Sequence, residues 1–179
     1  MALYSLFAEI LGYPECPIGK AVSDCMAELV PEFPDAHAHI ADFQNAVAGR
    51  SLGQLQETYT NAFDLRPDCT PNLGYHLFGD DGRRGLFLAE LKGRMEARGI
   101  PLGFELPDHI SLLLRYMHAA EQERSPLIED CMLPAVSRMV EILDSTENPY
   151  KHVLRALLSL LQYQQEASSA QAEAMEACG

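Results

Sequence analysis

The feature that most constrains this chain is the spacing of its large apolar residues, which keeps to the period of an α-helix almost from end to end. Residues 2–11 carry Leu3, Leu6, Phe7, Ile10 and Leu11, an i, i+3, i+4, i+7, i+8 stripe. Gly12 and Pro14 then supply a stop. The same spacing predicts helices over 18–30 (Val22, Met26, Leu29 and Val30 inward) and 35–48 (Ile40, Phe43 and Val47 inward). Another opens at Ser51, which with Gln54 makes a capping-box pattern, and buries Leu52, Leu55, Tyr59, Ala62 and Phe63. A break follows, in which Thr70-Pro71 reads as an N-cap before a first-turn proline. Leu73–Phe78 is long enough for one or two turns. After Gly79-Asp80-Asp81-Gly82, a helix over 83–98 turns Leu86, Phe87, Leu88, Leu91 and Met95 inward.

The link 100–107 reads as extended, and helices over 108–122, 126–144 and 149–165 complete the pattern. The last carries Val153, Leu154, Leu157, Leu158, Leu160 and Leu161, a stripe wide enough to lie centrally in a core. No β-alternation of useful length interrupts these stripes. The expected fold is an all-α, single-domain bundle of about eight helices without a β-sheet, spanning 1–165. The tail 166–179, rich in Ala, Glu, Ser and Gln, is expected to be frayed or disordered.

Composition narrows the partners. At 179 residues the chain suits one domain and can bury roughly 70% of its unfolded surface, so it needs no metal or disulfide staple. Thirteen Lys and Arg stand against 26 acidic residues, a net charge of −13. That balance disfavours nucleic acid, which needs clustered cations, and anionic membranes, while it suits a basic peptide. No apolar run approaches the ~18 residues of a membrane span, and the N-terminus meets Glu9 where a signal peptide would stay apolar. Cys16, Cys25, Cys69, Cys131 and Cys178 form no CxxC pair, which points to the reducing cytosol.

Catalytic patterns are weak. Gly79 to Gly85 matches neither dinucleotide nor P-loop spacing, and Asp80 or Asp81 reads as a helix cap, with Arg83 and Arg84 paired to aspartates or to a partner. In Glu105-Leu106-Pro107-Asp108-His109 a carboxylate adjoins an imidazole. The simpler reading makes Asp108 an N-cap and His109 a first-turn residue; the alternative is a small acid–base enzyme using both. His37, His39, His76, His109, His118 and His152 match no metal-ligand spacing, so no metal site is expected. No GxSxG elbow is present, and Cys131 reads as a buried thiol. Neither a cofactor nor a catalytic residue is expected. Tyr59, Phe63, Tyr75, Phe78 and Phe104 flank the loops between 64 and 109, where they either pack the core or anchor a peptide in an interhelical groove.

Several segments carry a family resemblance: Tyr59-Thr60-Asn61-Ala62-Phe63-Asp64, then Tyr75-His76-Leu77-Phe78 running on through Gly79 to Gly85, then Leu88-Ala89-Glu90-Leu91-Lys92, and Glu105 to Ile110. In this order they resemble the nitrate reductase delta-subunit branch of the redox-enzyme maturation chaperones, most densely from 55 to 117. The stretch Leu114-Arg115-Tyr116 departs from the family's usual Leu-Glu-Phe. The resemblance implies a cytoplasmic, non-catalytic chaperone that binds the N-terminal peptide of a molybdenum oxidoreductase's catalytic subunit before cofactor insertion and membrane docking. It implies a peptide groove bordered by Tyr59, Phe63, Pro107, Asp108 and His109, and Phe78, Asp80 and Arg84 are expected to join them in the site. In it Asp108 would meet a peptide cation and His109 would add a contact that titrates near neutrality. The expected state is monomer or homodimer, without nucleic acid or membrane insertion. A dimeric adaptor is the other non-enzymatic reading, and leucines exposed on the last helix would favour it.

Overall fold

The computed structural model describes residues 2–30 and 32–176, with side chains described as far as residue 170. The helices are α1 (Ala2–Ile10), α2 (Gly19–Leu29), α3 (Pro34–Val47), α4 (Leu52–Phe63), α5 (Leu73–Phe78), α6 (Gly82–Ala97), α7 (Ile110–Ala119), α8 (Arg124–Leu127), α9 (Leu133–Asp144) and α10 (Tyr150–Glu176). A π-helical turn, Ile128–Met132, joins α8 to α9 without a break, so the described residues form nine helical rods and no strand. This is the expected all-α bundle. Residues 177–179, the end of the expected tail, lie outside the described residues, and α10 continues from 165 to Glu176.

The wide stripe of α10 lies at the centre. Val153, Leu154, Leu157, Leu160 and Leu161 are all fully buried, each contributing about 2 kcal/mol through removal from water. They pack against α3 on one side and α9 on the other, while α1 lies along α7 and α5 along α9. The apolar face that a dimeric adaptor would need on α10 is therefore consumed internally.

Local chemistry sets the helix ends. Ser51 and Gln54 form the reciprocal capping box, and the Asp81 carboxylate accepts from the Arg83 amide at the start of α6. Gly79 (φ +60°) and Gly99 (φ +66°) close α5 and α6 in the left-handed region that side chains avoid. Pro134 has no N–H to offer the preceding turn, which accounts for the widened π turn just before it.

Five expectations are corrected. Thr70-Pro71 does not start a helix: the Thr70 hydroxyl accepts from Asn72, and α5 begins at Leu73. The helix expected from 126 starts at Arg124, with Pro126 inside its first turn. Val30 and Leu86 point outward, 59% and 75% exposed, since each lies just off a stripe that is already wide enough. The link 100–107 is not extended; it folds into turns closed by Glu105 N–H to Leu102 O (3.3 Å) and His109 N–H to Leu106 O (2.9 Å). Finally, Asp108 is not the N-cap of α7. His109 is, and its ring Nδ1 accepts from the Ser111 amide at 3.2 Å.

Candidate functional site

The two segments flanking the 79–107 excursion meet as a short antiparallel pair. Leu73 N–H donates to Asp108 O and Ile110 N–H to Pro71 O, both at 2.8 Å, around an isolated bridge between Asn72 and His109. In such extended pairing, successive side chains point to opposite faces. Asp108 and His109 therefore leave the backbone in opposite directions and serve two different surfaces.

Asp108 points toward α5 and α6. Its carboxylate is fully buried, and Oδ2 accepts from Arg84 Nε and lies within 3.0 Å of Arg84 Nη2. Oδ1 is buried with no hydrogen-bond partner. Gly74 lies directly above: a Cβ there would stand 2.6 Å from Asp108 Oδ2 and 3.2 Å from the Phe87 ring. Asp108 and Arg84 thus form an internal ion pair that clamps α6 onto the segment before α7. The expected contact between Asp108 and a peptide cation finds the carboxylate already engaged.

Beyond that clamp, α5, α6 and the 122–131 segment enclose an apolar groove of about 410 Å³. Its walls include Leu77, Phe78, Phe87, Leu91, Leu127 and Cys131, with Phe78 packed edge-on to Phe87 at 5.4 Å. Burial pushes the Cys131 thiol up to about 12, so it stays protonated as the sequence suggested. The rim is charged. Glu90, Glu123 and Asp130 stand there with Arg94, which pairs with both glutamates. Arg98 also binds Glu123 while its guanidinium covers the Tyr116 ring at 5.1 Å. Arg83 is held by Asp81 and lies 5.8 Å from the Phe78 ring centre, and Asp80 is exposed in the adjoining turn.

His109 points the other way, toward α4. Its Nε2 faces the Tyr59 hydroxyl at 3.4 Å, and that hydroxyl also reaches Leu11 O at 3.4 Å. The Glu105 carboxylate lies 3.9 Å from the same nitrogen. Since Nδ1 accepts the capping hydrogen bond, the neutral ring carries its proton on Nε2. Burial lowers the His109 pKa to about 4, against the pull of the Asp108 charge. It is therefore a neutral structural group at pH 7, not the contact titrating near neutrality that was expected. Tyr59 and Phe63 are buried in one aromatic cluster with Tyr150, and Tyr13 meets Tyr59 edge-on. With Asp64, Glu105 and His109 they line a more polar cleft of about 470 Å³.

The eight residues expected at one peptide site are thus distributed. Tyr59, Phe63 and His109 line the polar cleft; Phe78 lines the apolar groove; Arg84 and Asp108 form the clamp between them; Pro107 is buried beside it and Asp80 lies in the exposed turn. Asp108 and His109 engage different partners and compose no acid–base dyad. Sequence reasoning missed the groove roles of Phe87, Leu127 and Glu123. Phe87 had shown itself only as part of a helical stripe, and nothing local marks the other two.

A family model described as nitrate reductase delta subunit matches residues 27–162, from α2 into α10. The chain belongs to that family. Among curated proteins it is similar to a probable nitrate reductase molybdenum cofactor assembly chaperone, NarJ, of Bacillus subtilis (strain 168). The two are 27% identical over 162 residues, covering 89% of this chain and 88% of that protein. The delta-subunit family is one of molybdenum cofactor assembly chaperones, not of catalytic enzymes. No helix among the described residues is long and apolar enough to cross a membrane.

Proposed function

We propose that this delta-subunit family member is a cytoplasmic chaperone for the catalytic subunit of a molybdenum enzyme, nitrate reductase first among the candidates. It holds that subunit's N-terminal segment until the molybdenum cofactor is inserted and membrane docking can proceed. The family and the NarJ relative support the chaperone role. The observation that carries the peptide-binding part is the groove walled by Phe78 and Phe87, with Asp130 exposed at its rim beside the Arg94 pairs to Glu90 and Glu123. Such a groove suits an amphipathic helix with a basic flank: rings bury the apolar stripe and the exposed Asp130 carboxylate meets a cation. The net charge of −13 steers a basic segment toward the protein. Asp108 and Arg84 act here by holding the groove wall rather than by touching the peptide.

Calorimetric titration with a synthetic N-terminal peptide of the catalytic subunit tests this, with a charge-scrambled peptide as control. Saturable binding is expected. Phe78→Ala weakens it about tenfold or more, as truncation of an aromatic anchor does, while the far-ultraviolet circular dichroism stays unchanged. Binding that ignores Phe78→Ala and Phe87→Ala but is lost in Glu105→Gln would move the site to the polar cleft. Absence of binding to the peptide at high concentration would remove the peptide reading altogether.

A further inference from the structure

A second cluster lines neither surface and lies where α3 packs beside the first turns of α10. His39 and Asp42 stand three residues apart on α3, which places them on one face a single turn apart. His152 comes from α10. One donor atom from each of the three lies within 4.8 Å of the other two. The imidazole centres of His39 and His152 are 6.4 Å apart and tilted 37°, and His152 Nδ1 is 3.7 Å from Asp42 Oδ2. That distance is too long for a hydrogen bond, and Nδ1 is buried without a hydrogen-bond partner. The nearest cations are engaged elsewhere: Lys151 donates to Thr146 O at 2.8 Å and Arg155 to Asp144 at 2.9 Å.

We propose that His39, Asp42 and His152 form a binding site for a borderline divalent transition-metal ion of the Zn²⁺ class, clipping the start of α10 to α3. Metal–nitrogen and metal–oxygen bonds of about 2.0–2.2 Å put tetrahedral donors roughly 3.3 Å apart. The three groups stand a little wider than this, and rotation of the exposed Asp42 and half-exposed His39 closes the difference. Two imidazoles and one carboxylate select Zn²⁺, Ni²⁺ or Cu²⁺ over Mg²⁺ and Ca²⁺, which prefer all-oxygen shells. With three protein ligands, water completes the coordination. Spacing rules could not reveal the site because its third ligand lies 110 positions beyond Asp42 in the chain.

The test uses the full chain, stripped with a chelator and titrated with ZnCl₂ by calorimetry, with MgCl₂ in parallel. The proposal expects one Zn²⁺ bound in the micromolar range, no heat with MgCl₂, and a melting temperature that rises with ZnCl₂. His152→Gln and His39→Gln should each weaken binding by more than the roughly 10–100-fold that loss of an outer-shell partner costs. Cys16→Ser and His37→Gln should leave it unchanged. Binding retained in both His152→Gln and His39→Gln, binding lost in Cys16→Ser, or affinity no better than millimolar would each overturn the site.

Discussion

The polar cleft takes Pro71, Asn72 and His109 from the paired segments and the apolar groove takes none of its walls from them, and the two differ in what their residues are free to do. In the cleft, Tyr59, Phe63 and His109 are almost wholly buried and hydrogen-bonded or stacked within the fold. In the groove, Leu77, Phe78 and Phe87 are only half-buried, with charged groups around them. The divergence begins with the opposed directions of Asp108 and His109. What this teaches is that a dense cluster of motif residues need not mark a single contact surface. Part of it maintains the framework, and the part facing solvent is left to bind.

The largest expected effect breaks the clamp between the two regions. Asp108→Ala leaves Arg84 without its partner in a site where the carboxylate was fully buried. Removing one member of a buried pair costs about 3–5 kcal/mol where the charge left behind is buried, as Asp108 is in Arg84→Ala. Arg84, 22% exposed, reaches water more easily, so in Asp108→Ala the urea midpoint should fall by somewhat less. The double variant should cost clearly less than the two singles added, because neither charge is then stranded. Additive losses would show that the pair does not couple and that the clamp is misassigned.

Much of the scaffold was legible because helical periodicity is written locally. The stripes of α1, α4 and α10 name residues that are buried or, at Leu6, Leu52 and Leu158, partly buried, and Ser51 with Gln54 announces a real capping box. Legibility failed where one stripe residue too many was counted inward, as at Val30 and Leu86, and where prolines suggested starts that the chain does not use. At the site, sequence marked the residue types but not their partners. That Asp108 meets Arg84, or that Gly74 must lack a side chain above it, depends on a bridge between Asn72 and His109 that no local pattern encodes.

Next in size is the pH dependence of the cleft. An unfolded His109 takes up a proton near pH 6.5, whereas the folded ring resists until about pH 4. Between those values the unfolded state binds more protons, so stability is full above pH 6.5 and declines as the pH falls toward 4. The loss from this residue is on the order of 3 kcal/mol by pH 4. His76 and His152, whose pKa values burial also lowers, add to the decline in the same direction. Asp81 and Glu123, held below the usual carboxylate range by their partners, contribute only at lower pH. In His109→Asn the amide can still cap α7 but does not titrate. Urea denaturation across this range should therefore show a shallower slope for that variant, and an unchanged slope would mean His109 titrates normally.

The smallest effect sharpens the contrast most. Phe78 and Tyr59 are both aromatic members of the same family motifs, but their burial differs. Tyr59 is 2% exposed, with its ring against Phe63 and Tyr150, and its truncation to alanine should cost about 3–5 kcal/mol, as for other large core residues. Phe78 packs on one side against Phe87 and presents its remaining surface to the groove. Water can follow where the ring is removed, so no closed cavity forms, and Phe78→Ala should cost only about 1 kcal/mol. Parallel urea titrations of the two variants measure that gap. Equal losses would mean that Phe78 is as much framework as Tyr59, and the groove would then lose the residue best placed to give up its surroundings to a partner.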